Sequence, residues 1–251
     1  MKSNGLRAAS PRFLPPAPSL DPLVMKSPPA ERSLFNLLAR CVAMSLAGVV
    51  IIPLSGCANR VLLDERFHDP RLINWTVVDD RDTIEGPSEW RVESDGWVHQ
   101  RSNIWGLRGD FIGRWYGTYL IAGDVGWTDY TLSLRAKPED DDGFGVVFRY
   151  EDAEHFYRLL LLQDGMSGGP LTRLDKREGA DYHELWSGQK GYRPGNEMMI
   201  EVEVEGDAIR ASIDGRQLFE VKDSSYRRGE IGLFCYAQKG QAFDDVKVVE
   251  R

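Results

Sequence analysis

The sequence predicts an all-β protein, an antiparallel two-sheet sandwich of the jelly-roll type. From Val61 onward, short apolar runs with a two-residue alternation are separated by Gly, Asp, Pro and Asn. This pattern predicts about a dozen strands and no amphipathic helix. Many short strands at such spacing are typical of sandwiches and jelly rolls. A chain of 251 residues with 42% hydrophobic and 10% aromatic residues can fill one such core.

Residues 1–56 differ from the rest and predict a leader. A Pro-, Ala- and Ser-rich stretch is followed by Arg32 and Arg40, and then by an apolar segment from Cys41 to Leu54. A basic region, an apolar run and small residues, in that order, form a signal peptide. The leader is long, and a start at Met25 would leave a signal of ordinary length.

The leader ends in Leu-Ser-Gly-Cys, residues 54–57, which resembles the lipobox of bacterial lipoproteins. The resemblance implies that Cys57 carries a lipid and that residues 57–60 form a lipidated membrane tether. The alternative is an ordinary or uncleaved signal in which the cysteine occurs by chance. Ala58 follows the cysteine, which in such signals favours the outer membrane, so we expect a location in the bacterial cell envelope.

Charge and cysteine content exclude some partners. The formal net charge of −8 argues against nucleic acid, whose phosphates need a basic surface. Removing residues 1–56 removes six basic and two acidic residues, which leaves −12. The sequence contains no run of 18 or more apolar residues, so no membrane-spanning helix is predicted. Of the three cysteines, Cys235 lies among apolar residues and is predicted to be an inert core thiol.

The clearest hairpin lies in residues 201–213. Glutamate and valine alternate over residues 201–205, so the valines face a core and the glutamates face water. A two-residue turn at Gly206 and Asp207 then places Glu203 opposite Arg210.

Five segments along the chain resemble, in order, the concanavalin A-like lectin and glucanase modules. The likeness is greatest to the laminin-G-like modules related to family 16 glycoside hydrolases, and it covers about residues 61–250. It implies one β-sandwich domain over residues 61–251, a fold that carries lectins, hydrolases and adhesion modules. The segments are WRVESDGWVHQ, DYTLSLRAKPEDDDGFGVVFRYEDAEHFYRLLL, MIEVEVEGDAIRASIDGRQLFEV, GEIGLFCY and FDDVKV.

The family's catalytic motif, Glu-x-Asp-x-(x)-Glu, is not found in this sequence. The EVEVE run lacks the middle aspartate, and in a regular strand Glu201 and Glu205 would lie about 13 Å apart. Retaining glycosidases need carboxyl groups about 5–5.5 Å apart. No catalytic residue is therefore predicted.

The strands around Arg149 predict a carbohydrate-binding face. If residues 151–154 form a loop, Phe148 lies opposite Tyr157, and Arg149 shares a face with residues of the next strand. Guanidinium groups and aromatic rings suit hydroxyl or carboxylate recognition. The alternative is that the tryptophans fill the core and the arginines pair with acidic residues on neighbouring strands. The predicted ligand-binding residues are Arg149, Phe156, Arg158, Trp105, Trp115 and Tyr116.

Acidic residues suggest one metal site and two turns. The acidic groups around residues 139–152 are interpreted mainly as hairpin turns. The resemblance implies a structural calcium ion held by Asp244 in the closing strand, with Asp95 and Gly96 as further contributors. The alternative is an ordinary edge strand with protective charges.

These observations predict an envelope-anchored lipoprotein whose sandwich binds a carbohydrate or glycoconjugate without catalysis. Two alternatives stay open. One is a glycoside hydrolase-like enzyme acting on a glycan, and the other is a structural module that binds another envelope protein.

Overall fold

The computed structural model describes residues 59–81, 83–106 and 113–251. The predicted signal peptide, the alternative start at Met25 and the predicted lipidation site Cys57 lie outside the described residues. Within the described residues, no helix is long and apolar enough to cross a membrane.

The described part of the chain forms seventeen β-strands. They are β1 Val61–Glu65, β2 Thr76–Asp79, β3 Thr83–Ile84, β4 Trp90–Val92, β5 Val98–Gln100, β6 Trp105–Gly106, β7 Thr118–Ala122, β8 Tyr130–Lys137, β9 Gly143–Asp152, β10 His155–Leu162, β11 Leu171–Glu178, β12 Asp181–Gly188, β13 Met198–Glu205, β14 Ala208–Ile213, β15 Arg216–Lys222, β16 Glu230–Tyr236 and β17 Gln241–Glu250.

Two large antiparallel sheets contain nearly all of these strands. Sheet A has the order β15-β14-β13-β8-β17-β5-β4, with β1 also paired to β17. Sheet B has the order β12-β11-β10-β9-β16-β7-β2, and β3 and β6 form a separate small pair. The predicted all-β, jelly-roll sandwich is confirmed.

The main core lies between the sheets because side chains alternate along each strand. In β13 Ile200, Val202 and Val204 are fully buried, whereas the glutamates between them face outward. The predicted hairpin register is confirmed: Glu203 pairs with Arg210, whose Nη1 donates to Glu203 Oε1 over 2.6 Å. The EVEVE glutamates therefore form a solvated face.

A β-bulge at Arg149 interrupts the alternation in β9. Phe148 pairs with Tyr157 as predicted, but the register shifts beyond that pair. Arg149 has a φ of 47°, and its buried guanidinium donates to the main-chain oxygens of Thr128, Gly206 and Tyr226. The prediction that Arg149 shares an open face with β10 is wrong, because the bulge turns this side chain toward sheet A at one end of the sandwich.

Candidate functional site

Five of the six predicted ligand-binding residues gather at the outer face of sheet B, the face that points away from sheet A. Alternation in β10 places Phe156 and Arg158 on this face, opposite the buried Tyr157 and Leu159 of the main core. Trp105 and Trp115 pack in the same cluster. The ring of Tyr116 lies at its edge, 5.2 Å from the Arg177 guanidinium.

This face is closed rather than open. Phe156, Arg158 and Trp115 are at most 1% exposed. Arg158 donates to the main-chain oxygens of Arg114 and Trp115, so the segment before β7 covers the sheet. The prediction that Phe156 and Arg158 line an accessible sugar-binding surface is therefore wrong. Nη1 and Nη2 of Arg158 donate to acceptors within the protein, and its guanidinium lies 3.8 Å from the centroid of the Tyr182 ring.

Two buried ion-pair groups hold the covering segment to the sheet. Asp175 lies between two arginines, 2.9 Å from Arg158 Nη2 and 2.6 Å from Arg173 Nε. In the second group, Arg177 donates to Asp80 and to the hydroxyl of Tyr119. Burial, together with the charge of Asp80, raises the pKa of Tyr119 well above its usual value. These groups are buried and pair their charges within the protein, so we assign them a structural role; of their charged members, Arg173 also lines a neighbouring depression.

An open depression of about 510 Å³ lies beside the closed face, and we call it the Trp105 depression. It is formed where the β8–β9 and β10–β11 connections meet the end of β16. Its rim carries Met166, whose side chain is exposed on the surface, with 90% of the residue accessible. The lining residues are Asn103, Trp105, Asp142, Asp164, Met166, Ser167, Tyr236 and Ala237.

Asp142 is the distinctive polar group of the Trp105 depression. It is half-buried, and its carboxylate makes no hydrogen bond or ion pair with the described residues. The carboxylates of Asp140, Asp141 and Asp142 lie within 4.8 Å of one another. Burial, and then the charges of Asp140, Asp164 and Asp141, raise the pKa of Asp142 to about 7.

Asp164, on the other side of the Trp105 depression, has a different environment. Its Oδ1 accepts from the Met166 main-chain nitrogen, and its Oδ2 accepts from the nitrogen and the hydroxyl of Ser167. Although burial opposes the shift, these hydrogen bonds lower the pKa of Asp164. Asp164 therefore stabilises the β10–β11 loop as an ionised group, whereas Asp142 faces the depression unpaired.

The pH dependence of stability should reveal the environment of Asp142. Its pKa is raised from 3.8 to about 7 in the folded state, so its stabilising contribution is present at low pH and lost as pH rises through 7. Asp142→Asn cannot ionise. We expect the difference in melting temperature, variant minus wild type, to increase from about pH 4 to about pH 8. A flat difference between pH 4 and pH 8 for Asp142→Asn would contradict the assignment.

A second depression, also about 510 Å³, lies on the other side of the β10–β11 loop. Trp115, Arg173 and Glu184 contribute to its lining. The indole nitrogen of Trp115 donates to the main-chain oxygen of Ser167, so the same loop separates the two depressions. Trp115 is itself almost fully buried, which leaves the first depression as the better-formed aromatic site.

The residues predicted for calcium have partners of their own. Asp244 Oδ2 lies 3.4 Å from Arg135 Nη1, while Asp244 Oδ1 is buried and has no hydrogen-bond partner within the described residues. Asp95 accepts from the Trp97 main-chain nitrogen and contacts His99 Nε2. Gly96 has a φ of 83° and forms the turn. The unpartnered oxygen suits a cation, whereas the guanidinium of Arg135 already supplies positive charge there.

Sequence reasoning identified Trp105 but missed Asp142, Tyr236 and the β10–β11 loop. The available signal was the acidic run of residues 139–142, which was interpreted as turn chemistry. The run lies in the bent β8–β9 connection, and its last aspartate lines the depression together with residues far away in sequence. Only the three-dimensional fold reveals that combination.

Comparison with known proteins gives fold-level relatives only. No protein-family model matches the sequence, and no curated protein matches it significantly. Among solved structures, the carbohydrate-binding module CBM66 of Bacillus subtilis is similar, with 19% identity and a TM-score of 0.55. The alignment covers 70% of this chain and 96% of that one.

Two further structures show the same architecture. A Bacillus subtilis protein of unknown function with a galectin-like fold has 11% identity and a TM-score of 0.54, covering 76% of this chain and 96% of that one. A structure described with endo-acting O-glycanases of the human gut microbiota has 12% identity and a TM-score of 0.53. It covers 76% of this chain and 100% of that one. At these identities the similarity concerns the fold.

Proposed function

We propose that this protein binds a carbohydrate or glycoconjugate in the Trp105 depression and does not itself catalyse a reaction. The observation that carries the proposal is the half-buried carboxylate of Asp142, which has no partner among the described residues and lies in a depression lined also by the partly exposed Trp105 and the buried Tyr236. Structural relatives include a protein named as a carbohydrate-binding module. The fold alone is compatible with several activities, so the proposal depends on the site.

The lining suits a sugar because it combines the two kinds of group that a sugar ring needs. Aromatic rings offer a flat apolar surface for the C–H face of the ring. A carboxylate and an amide, those of Asp142 and Asn103, accept or donate hydrogen bonds to hydroxyl groups. On binding, this carboxylate exchanges hydrogen bonds to water for hydrogen bonds to the ligand, and no internal partner has to be displaced.

Glycan binding should depend on Trp105 and Asp142. We expect Trp105→Ala and Asp142→Asn each to weaken the affinity for a glycan found by array screening about tenfold or more, because stacking area or a charge-assisted hydrogen bond is lost. The measurement is calorimetric titration. The control is Trp97→Ala, since Trp97 is also partly exposed but packs under Arg135 elsewhere on the surface. Unchanged affinity in both site variants would place the binding site elsewhere.

The enzyme alternative has one observation in its favour. The pKa values of Asp142 and Asp164 are shifted in opposite directions, as in an acid paired with a base. Both oxygens of Asp164 are nevertheless engaged with the loop, which favours binding over catalysis. Reducing-end release from a glycan panel would support the enzyme, provided that Asp142→Asn abolishes it. Saturable binding without products supports the binding protein.

We also propose that the protein is a lipoprotein of the bacterial envelope, anchored through Cys57 and directed to the outer membrane. The support is the order of basic, apolar and small residues that ends in Leu-Ser-Gly-Cys. Metabolic labelling with a fatty acid in the bacterium, compared between wild type and Cys57→Ala, tests it.

A structural calcium ion at Asp244, with Asp95 and Gly96, remains a proposal as well. Its support is the buried Oδ1 of Asp244, which has no hydrogen-bond partner in the described part of the chain. If the ion binds, adding calcium to chelator-treated protein should raise the melting temperature, since a ligand of the folded state stabilises it. Asp244→Asn should remove that increase. An unchanged melting temperature in the wild type would contradict the site.

A further inference from the structure

The long strand β17 connects two chemically different ends of the sandwich. It has ten residues and spans about 30 Å. At its start, Ala242 pairs with Lys137 of β8, next to the connection that carries Asp142. Near its end, Val249 pairs with Val61, the first residue of β1. The Trp105 depression therefore lies at one end, and the chain enters the domain at the other, which we call the tether end.

The proposed lipid attachment must stay close to the tether end. Arg60 is fixed there, because its main-chain oxygen accepts from the Glu250 nitrogen and its side chain pairs with the Glu250 carboxylate. Cys57 precedes Val61 by four residues, which can span at most about 14 Å. A lipid on Cys57 would hold this end, and not the far end, near the bilayer.

Exposed apolar side chains are found at the same end. Val61 is 49% exposed and begins β1, and Val125 is 58% exposed in the connection that leads from β7 to β8. That connection contacts the chain terminus, because Asp129 accepts from the Arg251 nitrogen. Ile73, 65% exposed, precedes β2, whose first residue pairs with Ile121 near the close of β7. Three of the six large apolar side chains that the described residues expose are thus at the tether end.

We propose that the tether end rests on the bilayer that holds the Cys57 lipid, and that the Trp105 depression faces away from it across about 30 Å of protein. This inference rests on the proposed lipid anchor and the proposed binding site. The partner of the tether end is a lipid surface, which accepts Val61, Ile73 and Val125 at its apolar boundary. The glycan then reaches the depression from the aqueous side rather than from a lipid headgroup in the same leaflet.

Energy transfer on the full acylated chain in vesicles tests this orientation. Donor labels are placed on Val125→Cys at the tether end and on Met166→Cys at the rim of the depression, both at exposed positions. The buried Cys235 does not compete for the label. With an acceptor on the lipid headgroups, we expect at least about twofold more transfer from position 125 than from position 166, because the two lie a strand length apart.

Flotation separates the possible failures. The full chain should float with vesicles of phosphatidylethanolamine and phosphatidylglycerol, and Cys57→Ala should not. No flotation of the wild-type chain would overturn both the anchor and the orientation. Flotation with equal transfer from the two labels, or more from position 166, would overturn the orientation alone. Glycan affinity measured on the detergent-solubilised full chain reports on the binding site independently of the orientation.

Discussion

Asp175→Ala is expected to lower the free energy of unfolding by about 3–5 kcal/mol. Asp175 is fully buried in β11 and lies within 3 Å of the guanidinium groups of both Arg158 and Arg173. Removing it leaves two buried positive charges without their shared counter-ion, and desolvated unpaired charges are among the most costly groups in a protein. Urea denaturation followed by tryptophan fluorescence measures the change.

Two further variants identify the cause of that loss. Asp181→Ala removes a carboxylate whose pair with Arg114 is solvent-exposed, and we expect a change within about 1 kcal/mol. Replacing Asp175 by Leu together with Arg158→Met and Arg173→Met removes the whole charge group while keeping its volume, and should recover part of the stability. A loss below about 1 kcal/mol in Asp175→Ala would mean that the pairing contributes little.

The buried ion pairs of Asp175 with Arg158 and Arg173 lie in the face that the sequence predicted to bind sugar, and this face is closed. Strand alternation correctly predicts that Phe156 and Arg158 share a face, because that property depends on neighbours two residues apart. Whether another segment covers the face depends on contacts between distant residues. The hydrogen bond from Trp115 to Ser167 joins residues 52 positions apart, and the alternation of residues along a single strand does not predict it. The sequence therefore predicted that Phe156, Arg158 and Trp115 lie close together, but it did not predict that they are buried.

The hairpin of residues 201–213 and the bulge at Arg149 show the same difference between features that depend on neighbouring residues and features that depend on distant ones. The hairpin was predicted to the residue because a two-residue turn and the valine–glutamate alternation determine its register locally. The bulge could not be predicted, since its partners Thr128, Gly206 and Tyr226 lie on three separate connections. The depression beside Trp105 is likewise assembled from four segments, and Asp142 acquires its unusual environment only there.

Arg149→Met is expected to destabilise the protein by about 3–5 kcal/mol, because three main-chain oxygens would lose a charged donor inside the fold. The guanidinium donates over 2.9 Å to Gly206, 3.0 Å to Tyr226 and 3.2 Å to Thr128, and so joins sheet B to the β7–β8 and β13–β14 connections. Methionine keeps the apolar stem but supplies no donor. Denaturant unfolding measures the loss, and hydrogen exchange should show it concentrated in these connections.

Substitution by lysine and by glycine separates the hydrogen bonds from the backbone conformation. Arg149→Lys keeps the charge but cannot reach three oxygens in different directions, so we expect an intermediate loss. Arg149→Gly removes every side-chain bond but suits the φ of 47°, so it should be more stable than Arg149→Met by about 1 kcal/mol at most. If glycine instead restored wild-type stability, the residue would serve the bulge alone. The expected order of stability, arginine, lysine, glycine and methionine, assigns to Arg149 the role of a buried connector between the sheets, which a sugar-binding residue could not also fill.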